Sequence, residues 1–268
     1  SRSRLGTALK RFADVPGLFL SEMALGQAEQ VQVLTRALEH SREADNQAMR
    51  LGAAKAVVSK AHNVNSRETF HNLKLGKKWN CEHFLNYGER GHRLTYFRGN
   101  ENIPDLLPAG WMELLAQLKP VREEVQKQRQ LSHIPPDNAL RWRLTLNVYE
   151  ATEGQHRASF PWHTDIRVNG ACTCILSLGS SARLQFGRVV GEPPRDGLLY
   201  EAENKPPQRP GRASQPGRDS KVHVVQELEP PPGSLLILTG EARWDFVHRV
   251  LPSPVGSPLR ASVVLGVW

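Results

Sequence analysis

The chain has 268 residues, with 35 Lys and Arg against 27 Asp and Glu, a net charge of +8. Apolar residues make up 39% and charged residues 23%, ordinary globular usage that excludes a largely disordered chain and leaves room for one large domain. No apolar run approaches the roughly 18 residues of a membrane helix, and three cysteines (Cys81, Cys172, Cys174) are too few for a disulfide scaffold, so a soluble protein of a reducing, intracellular compartment is expected.

Residues 1–14 carry Arg2, Arg4, Lys10 and Arg11 before the first acid, Asp14. They read as a solvated basic tail, and the same composition suits a mitochondrial presequence remnant. Nucleus or cytoplasm is the default expectation, with the mitochondrion open. Ser21 stands where it caps a helix whose apolar positions are Val31, Leu34 and Leu38, with more helix over residues 41–60. Residues 60–98 read as polar and irregular. They hold eight Lys/Arg against three Glu, so +5 of the +8 lies there, interleaved with Phe70, Trp79, Phe84, Tyr87, Tyr96 and Phe97. Beyond Ile103-Pro104, the spacing of Trp111, Leu114, Leu115 and Leu118 predicts a further helix.

After residue 140 the period changes to two. Leu144, Leu146 and Val148 point one way, and Arg143, Thr145, Asn147 and Tyr149 the other. Strand-like runs recur at residues 171–178, 183–187, 222–228, 234–238 and 260–268, and Pro232-Gly233-Ser234 reads as a turn into a buried strand. Residues 191–221, rich in Pro, Gly and Arg, read as a flexible insertion. Helices first and many short antiparallel strands afterwards predict a mainly β, α+β chain with a jelly-roll core. The expected organisation is a single domain over 15–268, with helical support and a substrate lid in 15–140 and the β core in 141–268.

Pro161-Trp162-His163-Thr164-Asp165 carries the chemistry. A His and an Asp two apart on a strand project from one face, so both reach one metal ion. With a distant second His they form the two-His, one-carboxylate triad that suits Fe(II), leaving positions open for a co-substrate and dioxygen. With ten His and eight Asp in 268 residues, chance alone supplies about 0.3 His-x-Asp pairs, so the pair needs company. It has His248, then Arg260 opening the last strand with Ser262 on the same face, and Asn147 and Tyr149 upstream. Arg260 offers a guanidinium fork to a carboxylate, and Asn147 and Tyr149 offer an amide and a phenol.

Asn147-x-Tyr149, His163-x-Asp165, Ile175–Gly179 running to Gln185-Phe186-Gly187, Pro232-Gly233-Ser234, Gly240-x-Ala242-Arg243 and His248…Arg260-x-Ser262 together resemble the AlkB family of Fe(II)- and 2-oxoglutarate-dependent dioxygenases. The likeness covers residues 140–268, and 15–22 with 86–104 resemble the family's N-terminal extension. The resemblance implies a double-stranded β-helix, iron held by His163, Asp165 and His248, and 2-oxoglutarate held by Arg260 with Asn147, Tyr149 and Ser262. It implies oxidative demethylation of N-methylated DNA or RNA bases, in which dioxygen and 2-oxoglutarate give succinate and CO₂ and the hydroxylated methyl leaves as formaldehyde. The 60–98 segment occupies the place of the family's substrate lid. Trp79, Tyr87, Tyr96 and Arg98 are its candidate substrate contacts, since aromatic faces stack bases and cations track phosphates, and Trp162, beside His163, is a further candidate as a wall of the substrate pocket. A methylated nucleic acid is therefore the expected partner of a monomeric enzyme. A protein-directed oxygenase of the same chemistry and a catalytically silent binding module are the rival readings. Two departures stand out: Gly266 occupies the position of a second family arginine, with Arg183 and Arg243 as candidate substitutes, and the 191–221 insertion has no family counterpart.

Overall fold

In the computed structural model the described residues are 9–54, 68–75, 79–85, 87, 91–98, 142–151, 158–165, 169–170, 172–191, 221–254 and 256–267. The period-two stretch after residue 140 becomes β6 (Trp142–Tyr149), and it lies inside a nine-stranded antiparallel sheet. That sheet is built in the order β1 (Lys10–Arg11), β2 (Leu18–Ser21), β11 (Leu235–Leu238), β8 (Cys172–Leu178), β13 (Arg260–Val267), β6, β5 (His92–Arg98), β4 (Trp79–Leu85), β3 (Glu68–Leu75). A second sheet of four strands runs β10 (Val222–Leu228), β9 (Leu184–Val189), β12 (Val247–Val250), β7 (Phe160–His163). The protein is thus mainly β, with two antiparallel sheets and an N-terminal helix, α1 (Gln27–Ala54). From β6 onward the chain passes back and forth between the two sheets, as a jelly roll does.

The alternation read in β6 holds. Leu144, Leu146 and Val148 join Cys172, Cys174, Leu176, Ala261, Val263 and Leu265 in an apolar layer beneath α1. The helix presents Val33, Ala37, Ala44 and Ala48, all fully buried, to that layer. Three alanines let the helix axis come close to the strands without a cavity. The other face of the large sheet turns toward the small one. Tyr96, Tyr149, Ile175, Leu236 and Val264 there meet Phe160, Leu184, Phe186 and Val250.

Four expectations are corrected. Ser21 caps no helix: it is the buried last residue of β2, and α1 begins after Gly26, whose amide is taken by the Glu29 carboxylate at 3.0 Å. Val31 is 61% exposed, so the buried stripe of α1 runs through Val33 and the alanines instead. Residues 68–75, 79–85 and 92–98 are not irregular but form β3, β4 and β5, which extend the large sheet at one edge. Lys10 and Arg11 do not belong to a free tail, since they pair with Leu20 and Phe19 of β2. The helix expected around Trp111 and Leu118 lies outside the described residues, as does most of the 191–221 insertion. That insertion leaves and re-enters the β9–β10 pair, where the Val190 amide donates to the Lys221 carbonyl at 2.8 Å. The Pro232-Gly233 turn is present, and Gly233 takes φ +81°, a value that favours glycine.

Candidate metal centre and co-substrate pocket

Register, not sequence proximity, assembles the metal cluster. β7 and β12 pair antiparallel with His163 directly opposite His248, so two imidazoles 85 positions apart become cross-strand neighbours. Asp165 follows β7 by two residues. The ligand atoms of His163, Asp165 and His248 lie within 4.8 Å of one another, and among the described residues no other cluster of three or more His, Cys, Asp or Glu forms.

Local contacts set each donor. His163 Nδ1 donates to the Pro161 carbonyl at 2.7 Å, because a carbonyl only accepts, and this leaves the Nε2 lone pair for a metal. The Phe160 ring stacks on His163 at 3.7 Å between centroids, and Phe186 lies along His248 at 5.5 Å. Burial, and then the neighbouring His248, hold the His163 imidazole well below its usual pKa. Burial also lowers His248, with Asp165 opposing it. Both rings are therefore neutral at physiological pH, the state that binds metal. His248 Nε2 is 3.7 Å from Asp165 Oδ1, while Asp165 Oδ2 and His248 Nδ1 are buried without a hydrogen-bond partner. Two imidazoles, one carboxylate and unsatisfied buried donor atoms fit Fe(II), with no thiolate nearby to favour a structural zinc site.

The second half of the pocket lies across from the cluster on the large sheet. β13 pairs with β6 so that Arg260 faces Tyr149 and Ser262 faces Asn147. All four are buried on the sheet's inner face. The Arg260 guanidinium sits 4.6 Å from the Tyr149 ring centroid, and Arg260 and Ser262 hydrogen-bond the Tyr149 side chain. Burial raises the Tyr149 pKa, and Arg260 partly offsets it. Arg260 is 2% exposed, no carboxylate pairs with it among the described residues, and its Nη1 has no partner. A buried cation left this way calls for an anionic ligand, and a guanidinium fork suits a carboxylate. Both 2-oxoglutarate and Fe(II) therefore fit the residues present.

Sequence reasoning missed His92. It is fully buried, stacks on Tyr149 at 4.5 Å with the rings 9° apart, and bonds Asn147 Oδ1 at 3.0 Å through Nε2. Its signal was the alternation His92, Leu94, Tyr96, hidden because the segment read as irregular. Arg243, a candidate for the absent second arginine, donates to the Asp165 and Gly170 carbonyls at 3.3 and 3.2 Å. It fastens the loop that carries a metal ligand. Arg183 is 58% exposed and pairs with Glu227, away from the cluster.

The candidate substrate contacts divide. Tyr87 and Tyr96 are buried, 7% and 3% exposed, and present no ring face to solvent. Trp162 lies under the Arg249 guanidinium at 4.5 Å, and Arg249 is held in turn by Gln185. Trp79 opens β4 and Arg98 closes β5, with Arg98 opposite Asn80, so both stand at one end of the large sheet. Through β5–β6 and β6–β13 pairing, that end is also the end of Arg143 and Gly266.

Two packed antiparallel sheets thus enclose a His163–Asp165–His248 triad that fits Fe(II), with Arg260 on the facing sheet placed to receive a carboxylate. The chain is similar in structure to OsALKBH1, at 13% sequence identity and a TM-score of 0.47, over 97% of this chain and 99% of that one. It is also similar to SnoN, a non-heme alpha ketoglutarate dependent epimerase from nogalamycin biosynthesis, at 13% identity and a TM-score of 0.38, over 93% of this chain and 78% of that one. No family model and no curated protein matches the chain.

Proposed function

We propose that the protein is a dioxygenase that oxidatively demethylates N-methylated bases of DNA or RNA, consuming 2-oxoglutarate and dioxygen and releasing succinate and formaldehyde. The observation that carries the catalytic part is the buried Arg260, with no carboxylate partner among the described residues, on the sheet face opposite the His163–Asp165–His248 cluster. When bound, iron with its co-substrate supplies the oxidation of a C–H bond. The chain's own residues do the positioning. Pro161 fixes the His163 tautomer, Arg243 holds the loop after Asp165, and His92 holds the Asn147 amide against the pocket. Arg260 draws in the dicarboxylate, while Phe160 and Phe186 keep water off the two imidazoles.

The substrate class rests on charge and placement. Residues 60–98 carry +5, and Trp79 and Arg98 stand at the end of the sheet shared with Gly266. Aromatic and basic residues of these types suit a flipped or single-stranded base and its phosphates. Hydroxylation of an N-methyl carbon gives a hemiaminal that separates into the free N–H and formaldehyde.

The test is purified protein with Fe(II), 2-oxoglutarate and a panel of N-methylated DNA and RNA oligonucleotides. Formaldehyde and succinate are expected in equal amounts with a matching base. Turnover on methylated peptides instead of oligonucleotides selects the protein-directed reading. Oligonucleotide binding that survives His163→Ala, with no iron bound by the wild type, selects the silent module.

A further inference from the structure

Phe160 and His163 are three residues apart in β7, a spacing that sets side chains on opposite faces of a regular strand. Yet both are buried, and their rings stack at 3.7 Å. A β-bulge accounts for this. β12 pairs His248 with His163 and Val250 with Phe160, so the single residue Arg249 faces two, Pro161 and Trp162. The extra residue turns His163 inward beside Phe160, and the Pro161 carbonyl accepts from His163 Nδ1 at 2.7 Å. Pro161 also has no amide proton to give to the ladder. The aim of a metal-ligating imidazole therefore depends on a stretch of β7 whose own pairing is interrupted.

The outer face of the small sheet bridges that interruption with side chains. Arg249 lies between the inward-facing His248 and Val250, so it points outward, and its guanidinium covers the Trp162 indole at 4.5 Å. Register sets Gln185 of β9 opposite Arg249, and Glu227 of β10 opposite Gln185. Arg249 donates through Nε and Nη2 to Gln185 Oε1 at 2.8 and 2.6 Å. Gln185 Nε2 donates to Glu227 Oε2 at 2.6 Å, and Arg183 donates to Glu227 Oε1 through Nε and Nη2 at 2.8 and 2.6 Å. The amide cannot turn over, since that would set its NH₂ against the guanidinium and its oxygen against the carboxylate. One ladder thus crosses all four strands and ends on the indole.

Resting on the reading of His163, Asp165 and His248 as the iron site, we propose that Arg249 and Trp162 are positioning residues for that site. Trp162 immediately precedes one imidazole ligand and Arg249 immediately follows the other, so their stack ties together the two strands that carry the ligands. It holds the bulge of β7 closed against β12 and keeps His163 and His248 at the separation a single metal ion needs. Gln185 and Glu227 keep the guanidinium flat on the indole. Trp162 then serves the iron from the outer face of the sheet and not as a wall of the substrate pocket.

Calorimetric titration of Mn(II) into the full chain tests this without turnover, with the visible absorption bands of the Co(II)-loaded protein reporting coordination geometry. Arg249→Ala and Trp162→Leu are each expected to weaken Mn(II) binding by about tenfold, the lower end for contacts that orient a metal ligand, and to change the Co(II) bands. Arg249→Lys keeps a cation over the indole and Trp162→Phe keeps a ring face, so both recover most of the affinity. The double variant Arg249→Ala with Trp162→Leu binds no more weakly than either single one, because each removes the same contact. Wild-type affinity and bands in both single variants, with affinity lost in His163→Ala, overturn the proposal and leave the metal site standing. Undiminished affinity in His163→Ala brings down the metal-site reading itself. Additive losses in the double variant, or weaker binding with unchanged Co(II) bands, mark a general loss of stability and also overturn the proposal.

Discussion

His163 keeps its Nε2 lone pair free for a metal because its Nδ1–H donates a hydrogen bond to the Pro161 carbonyl. Such second contacts are worth about 10–100-fold in metal affinity when lost, so removal of a ligand itself costs more. His163→Ala, Asp165→Ala and His248→Ala are each expected to lose Fe(II) binding by more than about 100-fold, read by metal titration, with the thermal midpoint little changed. Arg260→Lys keeps the charge but not the fork that engages a carboxylate twice. It should raise the KM for 2-oxoglutarate by about tenfold and move kcat less, which steady-state kinetics will separate. At this scale the sequence showed the triad and Arg260, since spacing of two on a strand and a lone basic residue opening a strand are visible signals. It did not show His92 or Asn169. His92 acts through Asn147, a neighbour brought in by register, and Asn169 packs over Gly266, 97 positions away.

Strands were legible wherever one face was polar or the run was short and apolar. β10 occupies residues 222–228 as expected, and β13 begins at Arg260 as expected. β3, β4 and β5 were not legible, because Lys, Asn, Glu and His alternate with their apolar residues and both of their faces are partly polar. Glu82, His83, His92 and Thr95 are buried there. His83 is bound by Asp45 of α1 at 2.7 Å and by Thr95 at 2.9 Å, and Arg93 also reaches Asp45. This polar seam ties the helix to strands that resemble loop in composition. The rest of the α1 contact is apolar and tight, so size matters more than hydrophobicity. Ala44→Leu should destabilise the protein by about 1–3 kcal/mol through overpacking. Calorimetry should show this as a fall of about 2–4 °C per kcal/mol for a domain of this size.

On the scale of the whole molecule, three free thiols are sealed in the core, and this fixes how the protein responds to alkali. Burial, with a lesser push from Glu43, raises the Cys81 thiol from 9.0 to about 12. Cys174 is raised by its contact with Cys172 and by burial. A folded pKa above the unfolded one means stability that is complete below about pH 9 and is lost as pH climbs toward about 12. The loss is at most about 1.4 kcal/mol per pH unit for the Cys81 thiol. Denaturant unfolding measured from pH 8 to 11 should show this decline, and Cys81→Ala should flatten it. Folded protein should also resist alkylation at pH 8.

The charge of +8 has a use at the same scale. If phosphates are the partner, oligonucleotide affinity falls steeply with salt, one counterion released for each contact. Fluorescence anisotropy at two salt concentrations reads the slope, and a flat response removes nucleic acid as substrate.

The central claim is that the pocket between the sheets runs iron- and 2-oxoglutarate-dependent oxidation. The most direct measurement is succinate formed by the wild type and by Asp165→Ala, with and without Fe(II), under air and under argon. The account predicts succinate only in the wild type with iron and air. Succinate that persists in Asp165→Ala at the wild-type rate, or that forms under argon, would contradict it.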